Sequence, residues 1–300
     1  MGAALLYGRP APGLIEAPRD AVQVSPLIPG SQDLALMADG SADETFVLAP
    51  PGTLERDFVL AQALRVLKPG GRLVAFAPKD KGGSRLRKAL ERFGCQVEED
   101  ARRHHRFCDV ERTEGLVGLD DAIAAGAPRI VDGLGLWSQP GVFSWDRVDP
   151  GTALLLAHLP ELKGQGADFG GGTGVLAHKV LGGSAVTALT VVELDRRAVE
   201  AARRNLDDPR VSLVWADVRQ TDLGDLDFVV MNPPFHDGGS EDRSLGQAFV
   251  VAAAGALRKG GRLWLTANRH LPYEAPLRAS FARVEPRADA GGYKVYEAVK

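Results

Sequence analysis

Asp168-Phe169-Gly170-Gly171-Gly172-Thr173-Gly174 decides how this chain is read. On its amino side, Gln165-Gly166-Ala167 leads into a short strand that ends at Asp168-Phe169. On its carboxyl side, Val175-Leu176-Ala177-His178-Lys179-Val180-Leu181 spaces its apolar residues as a helix does. Gly170, Gly172 and Gly174 allow the chain to turn tightly and bring backbone N–H groups close to a ligand at a helix N-terminus. Leu189-Thr190-Val191-Val192 reads as a second buried strand. It ends at Glu193, about twenty residues past the loop, the spacing at which an acid meets a ribose hydroxyl in nucleotide-binding α/β folds. The competing role for Glu193 is an acid near the start of the helix expected over Arg196-Arg197-Ala198-Val199-Glu200-Ala201-Ala202-Arg203-Arg204.

Further strand-like runs carry the pattern on. Val211-Ser212-Leu213-Val214-Trp215-Ala216 leads to Asp217, and Phe228-Val229-Val230-Met231 leads to Asn232-Pro233-Pro234-Phe235. The loop is Asp-x-Gly-x-Gly-x-Gly, not the Gly-x-Gly-x-x-Gly of hydride-transfer enzymes, and no acid/base pair for hydride chemistry accompanies it. Asn232 offers a carbonyl that accepts a hydrogen bond from an amino group. Pro233 and Pro234 fix the backbone around it, and Phe235 offers a flat face for stacking a base. Read alone, Asn-Pro-Pro-Phe also suits a turn that closes a buried strand.

On these residues the chain resembles the class I S-adenosylmethionine-dependent methyltransferases. The resemblance implies that the glycine loop with Asp168, Gly170, Gly172 and Gly174 holds the methionine end of S-adenosylmethionine, that Glu193 holds the ribose, and that Asp217 contacts the adenine amine. It further implies that Asn232, Pro233, Pro234 and Phe235 receive a target nitrogen, with Asn232 also among the residues that bind the cofactor. Asn232-Pro233-Pro234-Phe235-His236-Asp237-Gly238 is similar to the bacterial ribosomal RNA guanine-N2 methyltransferases of the small-subunit type. Pro140-Gly141-Val142-Phe143-Ser144, Asp149, Gly151 and Leu154-Leu155-Leu156 resemble that family's leading segment. Asn-Pro-Pro-aromatic also occurs in enzymes that methylate DNA adenine or protein glutamine, so these acceptors stay open, as does a non-catalytic RNA-binding ribosome-assembly protein.

The first half of the chain echoes the second. Leu64-Arg65-Val66-Leu67-Lys68-Pro69-Gly70-Gly71-Arg72-Leu73-Val74 is matched by Ala256-Leu257-Arg258-Lys259-Gly260-Gly261-Arg262-Leu263-Trp264, where a helix is expected to end at the glycine pair and a strand to begin. Phe46-Val47-Leu48-Ala49-Pro50-Pro51 parallels the segment before Pro233-Pro234 but has no asparagine, and this half has no Asp-x-Gly-x-Gly-x-Gly loop. The fold expected is therefore α/β with two Rossmann-like methyltransferase domains. Residues 1–135 would form a degenerate copy, and residues 136–300 a catalytic copy with a seven-stranded, mostly parallel sheet and helices on both faces. Tyr293-Lys294-Val295-Tyr296-Glu297-Ala298-Val299 alternates like a strand, the antiparallel one that finishes this fold in the resembled family.

Composition sets the bounds. The 300 residues are 45% hydrophobic and 25% charged, as expected of globular domains, and no run approaches the apolar length of a membrane helix. The start of the chain lacks a basic signal-peptide pattern, so a soluble, cytoplasmic protein is expected. Cys95 and Cys108 show no metal-ligand spacing; neither a metal nor a disulfide is expected, and the protein is expected to act as a monomer. A formal charge of −3 argues against binding nucleic acid through overall charge. A local patch would have to serve, and the best run is Lys79, Lys81, Arg85, Arg87, Lys88 and Arg92, followed by Arg102, Arg103 and Arg106, in the domain that lacks cofactor loops. The partner expected is ribosomal RNA or the small ribosomal subunit. In the catalytic half, His236, Arg269 and Tyr273 are further candidates for contact with base or phosphate.

Overall fold

The computed structural model describes residues 3–234, 236–237, 240–241 and 243–300. In chain order the elements are β1 (Ala4–Tyr7), β2 (Val22–Gln23), β3 (Ala42–Leu48), α1 (Thr53–Val66), β4 (Leu67–Pro78), α2 (Leu86–Glu91), β5 (Glu98–Arg102), β6 (His105–Glu111) and α3 (Leu119–Gly126). There follow β7 (Arg129–Val131), β8 (Leu136–Ser138), α4 (Pro150–His158), β9 (Gly164–Phe169), α5 (Val175–Leu181), β10 (Val186–Glu193), α6 (Arg196–Asn205), β11 (Val211–Trp215) and β12 (Leu226–Met231). The last are β13 (His236–Asp237), β14 (Ser240–Glu241), α7 (Arg243–Ala256), β15 (Leu257–Asn268), α8 (Glu274–Ser280), β16 (Arg283–Ala290) and β17 (Tyr293–Val299). Two compact units result: residues 1–128 with 139–141, and residues 129–138 with 142–300.

The second unit holds a seven-stranded sheet in the order β11-β10-β9-β12-β15-β17-β16. Pairs from β11 to β15 are parallel, and β17 runs antiparallel to both β15 and β16. Alternation along the strands sorts the core into two layers. Phe228 and Val230 of β12 and Trp264 of β15 join Leu155 of α4, Leu176 and Val180 of α5 and Ala202 of α6 on one face. Val229, Met231, Leu263 and Leu265 join Phe249 and Val250 of α7 and Leu277 of α8 on the other. Helices thus cover both faces, as the resemblance implies. Gly166 is required at the centre, since a Cβ there would lie 2.2 Å from Cε2 of Phe228; Gly166→Ala would overpack the layer at about 1–3 kcal/mol.

The first unit repeats this plan with six strands, β2-β1-β3-β4-β6-β5, in which β1, β2, β3, β4, β6 and β5 take the places of β9, β10, β12, β15, β17 and β16. The matching segments agree in detail. β4 and β15 are both twelve residues long with the same succession of buried and exposed positions. A Cβ on Gly71 would meet the Lys68 and Asp43 carbonyls and Leu67, and one on Gly261 would meet the Arg258 and Leu226 carbonyls and Leu257. The glycine pair does not end the helix, contrary to the sequence expectation. α1 stops at Val66, β4 starts at Leu67, and Gly70-Gly71 lie inside the strand where the β3–β4 register shifts between Ala42 and Glu44. The pair is a bulge that bends the strand, with Gly70 at φ +77°.

The degeneracy of the first unit has a structural form. After β1 the chain turns at Gly8 and runs to β2 without a helix among the described residues, so nothing stands where α5 follows β9. Helices α1, α2 and α3 cover one face of its sheet through Leu60, Leu64, Leu90 and Ile123. The other face, with Phe46, Phe76 and Phe107, is covered by Leu14, Ile15, Ala17 and Ala21 of the β1–β2 segment.

Candidate active site

The parallel register brings the loops of the second unit to one end of its sheet. Asp168 pairs with Val191 of β10 on one side and Val230 of β12 on the other, while Phe169 pairs with Val192 and Met231. Glu193 and Asn232 are each the next residue along, so they flank the start of the glycine loop. Ligands in such sheets bind at the carboxyl ends of the strands, where side chains and helix N-termini converge. The Gly170 N–H donates to the Val192 carbonyl at 2.8 Å, and Gly174 N–H to the Gly171 carbonyl at 2.9 Å. Gly170, Gly172 and Gly174 all have positive φ, at +71°, +55° and +90°. Their surroundings differ: a Cβ on Gly174 would lie 2.9 Å from Leu206 Cδ1, whereas one on Gly172 would meet nothing within 4 Å. Gly172 therefore lines open space above the loop.

Two acids border the loop. Asp168 is fully buried, and neither carboxylate oxygen meets a donor at hydrogen-bonding geometry. Burial first, and the Glu193 charge second, push its carboxyl up to about 8, with only a weak opposing pull from the Ala177 N–H. Glu193 is held by backbone: its Oε2 accepts from Gly172 N–H at 2.9 Å and its Oε1 from Asp195 N–H at 2.8 Å. Its carboxyl is also raised, chiefly by burial. Asp195 caps α6 by accepting from Arg197 N–H, so the capping role considered for Glu193 falls to its neighbour. Asp217 follows β11, whose Trp215 pairs with Glu193. Its carboxylate accepts from the Arg219 N–H at 2.9 Å and forms an ion pair with the Arg219 guanidinium at 2.6 Å.

Asn232 is fixed from a part of the chain 83 positions away. Its Nδ2 donates to Asp149 Oδ2 at 2.9 Å and to Thr152 Oγ1 at 2.8 Å. Asp149 Oδ2 also accepts from Thr152 N–H at 3.0 Å, which makes Asp149 the N-cap of α4, with Pro150 at the first helical position. That oxygen is thus an acceptor, and the nitrogen of the Asn232 amide must face it. Sequence reading reached Asp149 only as part of a leading segment. The Asp-Pro-x-Thr pattern signals a helix start but not the partner it holds. Asn205 is a second residue that pattern reading missed: its amide donates to the Thr173 carbonyl of the glycine loop at 2.9 Å and to the Trp137 carbonyl at 3.0 Å, and accepts from Trp137 N–H at 2.8 Å.

The remaining candidates scatter. Pro233 is buried and Pro234 exposed; Phe235 and Gly238 lie outside the described residues, while His236 and Asp237 form β13. Arg269, just past β15, is ion-paired with Asp289. The expectation that Tyr273 meets base or phosphate gives way to packing. Its side chain is 5% exposed, and its hydroxyl fills the space left by Gly246, where a Cβ would lie 2.0 Å away. Arg102, Arg103 and Arg106 belong to the β5–β6 hairpin of the first unit. Its turn residues Arg103 and His104 have φ of +48° and +59°, Arg102 stacks 4.3 Å from the Phe107 ring centroid, Arg103 donates to the Gly13 carbonyl, and Arg106 faces Glu99 at 3.9 Å. Among the described residues no cluster of His, Cys, Asp and Glu could hold a metal ion, and no helix is long and apolar enough to cross a membrane.

Comparison with known proteins agrees with this arrangement. Residues 133–297 match the model of the methyltransferase small domain. Over 86% of its length the chain is 32% identical to a Pseudomonas putida protein named ribosomal RNA small subunit methyltransferase C, covering 80% of that relative. It is 29% identical, again over 86% of its length, to the Shewanella piezotolerans protein of the same name, covering 77% of it. Among solved structures it superposes with a TM-score of 0.73 and 30% identity on "T. Thermophilus 16S rRNA N2 G1207 methyltransferase (RsmC) in complex with AdoMet and Guanosine", over 89% of this chain and 75% of that one. A glycine loop flanked by two acids, a tethered Asn-Pro-Pro and these likenesses place the chain in the methyltransferase small-domain family, alongside the ribosomal RNA small subunit methyltransferase C enzymes.

Proposed function

We propose that the protein transfers a methyl group from S-adenosylmethionine to the exocyclic N2 amine of a guanine in ribosomal RNA. One observation carries the reading: the acceptor motif lies against the cofactor loop. Pro234 Cδ stands 4.0 Å from where a Cβ on Gly170 would be, and Asn232 follows the residue that pairs with Phe169. The open space at Gly172 and the anchored Glu193 fit a ligand with an amino-acid end and a ribose. Asp168 and the loop would hold the first, Glu193 the second and Asp217 the adenine.

When bound, the cofactor would supply an electrophilic sulfonium methyl, with a neutral thioether as the leaving group. The protein's task is alignment and charge stabilisation. An aromatic amine is a weak nucleophile because its lone pair is delocalised into the ring. The Asn232 Oδ1 and the Pro233 carbonyl accept its two hydrogens, which favours the tetrahedral nitrogen of the transition state and draws off its developing positive charge. Phe235 stacks the extruded base, since a paired base cannot reach the loop. No strong base is required, because the nitrogen becomes acidic as it is alkylated and its proton passes to water. The first unit, with the Arg102–Arg106 hairpin, docks the RNA.

The test is transfer of labelled methyl from S-adenosylmethionine to naked ribosomal RNA, isolated small and large subunits, duplex DNA and a protein extract, with Asn232→Ala as the blank. Label released as N2-methylguanine from one RNA substrate supports the reading. Label confined to adenine or to glutamine moves the acceptor to DNA or protein. Cofactor binding with no label in any of these acceptors overturns the proposal and leaves the non-catalytic role.

A further inference from the structure

The two ends of a carboxamide have nearly the same shape and opposite hydrogen-bonding polarity. An unrestrained Asn232 would therefore offer a target amine its own NH2 as readily as its oxygen, and donor facing donor repels the substrate. In this chain the choice is made elsewhere. Asp149 and Thr152, 8% and 9% exposed, each accept one hydrogen of Asn232 Nδ2, at 2.9 Å and 2.8 Å. Both amide hydrogens are used, and among the described residues no donor bonds Oδ1. A flipped amide would set its oxygen against an Asp149 oxygen that already accepts from Thr152 N–H.

The first turn of α4 that carries these acceptors is itself located by contact. Gly151 lies between them, and a Cβ there would fall 2.6 Å from Cδ1 of Tyr293 and 3.0 Å from Asp149 Oδ2. The Tyr293 ring thus rests on the backbone of the turn. Tyr293 opens β17 and pairs with Asn268, the last residue of β15, so the antiparallel end of the sheet sets the height of the turn. A β15–β17 pair, a glycine too small to hold the ring away, and two acceptors on one helical turn converge on one amide.

We propose that Asp149 and Thr152 are positioning residues that fix the polarity of the Asn232 amide, with its oxygen turned to the acceptor nitrogen, and that Gly151 seated under Tyr293 holds them in register. This rests on the reading of Asn232 as the side chain that receives the amine.

The experiment compares Asp149→Ala, Asp149→Asn, Thr152→Val and Thr152→Ser in the full chain. It follows three readouts: the single-turnover methylation rate on saturating ribosomal RNA, the calorimetric Kd for S-adenosylmethionine, and solvent exchange of the Asn232 side-chain NH2 by 15N NMR, assigned by its loss in Asn232→Asp. Asp149→Ala should slow the chemical step about a hundredfold, the scale of a misplaced catalytic group, while the cofactor Kd stays within about twofold. Thr152→Val should slow it about tenfold, the scale of one lost hydrogen bond, and Thr152→Ser should restore most of that loss. Asp149→Asn keeps both the helix cap and an acceptor oxygen and should fall between. The Asn232 amide protons should exchange slowly in the native chain and fast in Asp149→Ala. Methylation by Asp149→Ala within about threefold of native, or amide exchange that is equally fast in both, overturns the proposal. Should Asp149→Ala fail to fold, the Val and Ser pair at position 152 decides in its place. If the native chain methylates none of the RNA substrates, the functional reading fails by itself, and the exchange comparison still decides whether the clamp exists.

Discussion

The Gly172 N–H donates to Oε2 of Glu193 at 2.9 Å, so the acid at the end of β10 braces the glycine loop from below. The same carboxylate takes the Asp195 N–H with its other oxygen and thereby joins the loop to the start of α6. Glu193 thus shapes the loop, and on the proposed function it also presents its remaining lone pairs to a ribose.

Replacing Glu193 by Gln separates these tasks from simple bulk. One amide end would turn an NH2 toward a backbone N–H and lose that bond, at about 1 kcal/mol or more for the unsatisfied donor. The expected result is a cofactor Kd weaker by about tenfold or more with a small fall in melting temperature, measured by calorimetry and thermal unfolding.

Two loop glycines should respond differently to Ala. Gly172 would place its Cβ in open space, whereas Gly174 would press on Leu206 at 2.9 Å. Both have positive φ and carry the strain of an L-residue, about 1–2 kcal/mol. Gly172→Ala should remain folded with only that strain and bind the cofactor poorly, because the methyl enters ligand space. Gly174→Ala should lose more stability. Equal melting temperatures for the two variants would contradict this.

Asp168 gives the cofactor-free protein a pH dependence. Its folded carboxyl is raised to about 8 from 3.8, so between these values the folded state holds a proton that the unfolded state has released. Stability must then fall as pH rises through that window and level off above it. Glu193, also raised by burial, adds in the same direction. Carboxyls held low, such as Asp208 beside Arg210, lose their contribution as pH falls from 3.8 to about 2, below that window, and leave its slope alone. The melting temperature should drop between about pH 4 and 8, and Asp168→Asn, which cannot ionise, should flatten the drop. An unchanged slope in Asp168→Asn would remove Asp168 from this role.

Tyr273 and Gly246 test a packing assignment. Tyr273→Phe keeps the ring among Phe249, Leu271 and Leu277 and should methylate as the native chain does. Gly246→Ala would drive a methyl to within 2.0 Å of the Tyr273 hydroxyl and should lower stability by about 1–3 kcal/mol. A large, selective rise in RNA KM for Tyr273→Phe would return that residue to the substrate surface.

Much of the local structure around the glycine loop was legible because its pieces are local. The strand before Asp168, the helix after Gly174 and the glycines between them follow from side-chain period and from φ values that only glycine adopts freely. The duplication was legible too, since Lys68-Pro69-Gly70-Gly71 and Arg258-Lys259-Gly260-Gly261 solve the same bend at the same place. The reading slipped where tertiary forces overrode local ones. Gly70-Gly71 looked like a helix stop, but pairing with β3 draws Leu67 into the strand and leaves the glycines as a bulge. Tyr273 looked like a rim residue, but the notch at Gly246 on α7 takes its side chain inside.

By itself the amino-acid sequence determined the order of strands and helices, the glycine turn between β9 and α5, and the Asn-Pro-Pro that follows β12, because propensity, period and backbone freedom act within a few residues. Only the tertiary structure decided that Asp168 is sealed, that Glu193 is the brace of the glycine loop, and that the Asn232 amide turns its nitrogen to Asp149 and Thr152. The physical reason is distance along the chain. Asp149 and Asn232 meet across 83 positions, and their hydrogen bond exists only once α4 and β12 have been packed into one sheet-and-helix layer.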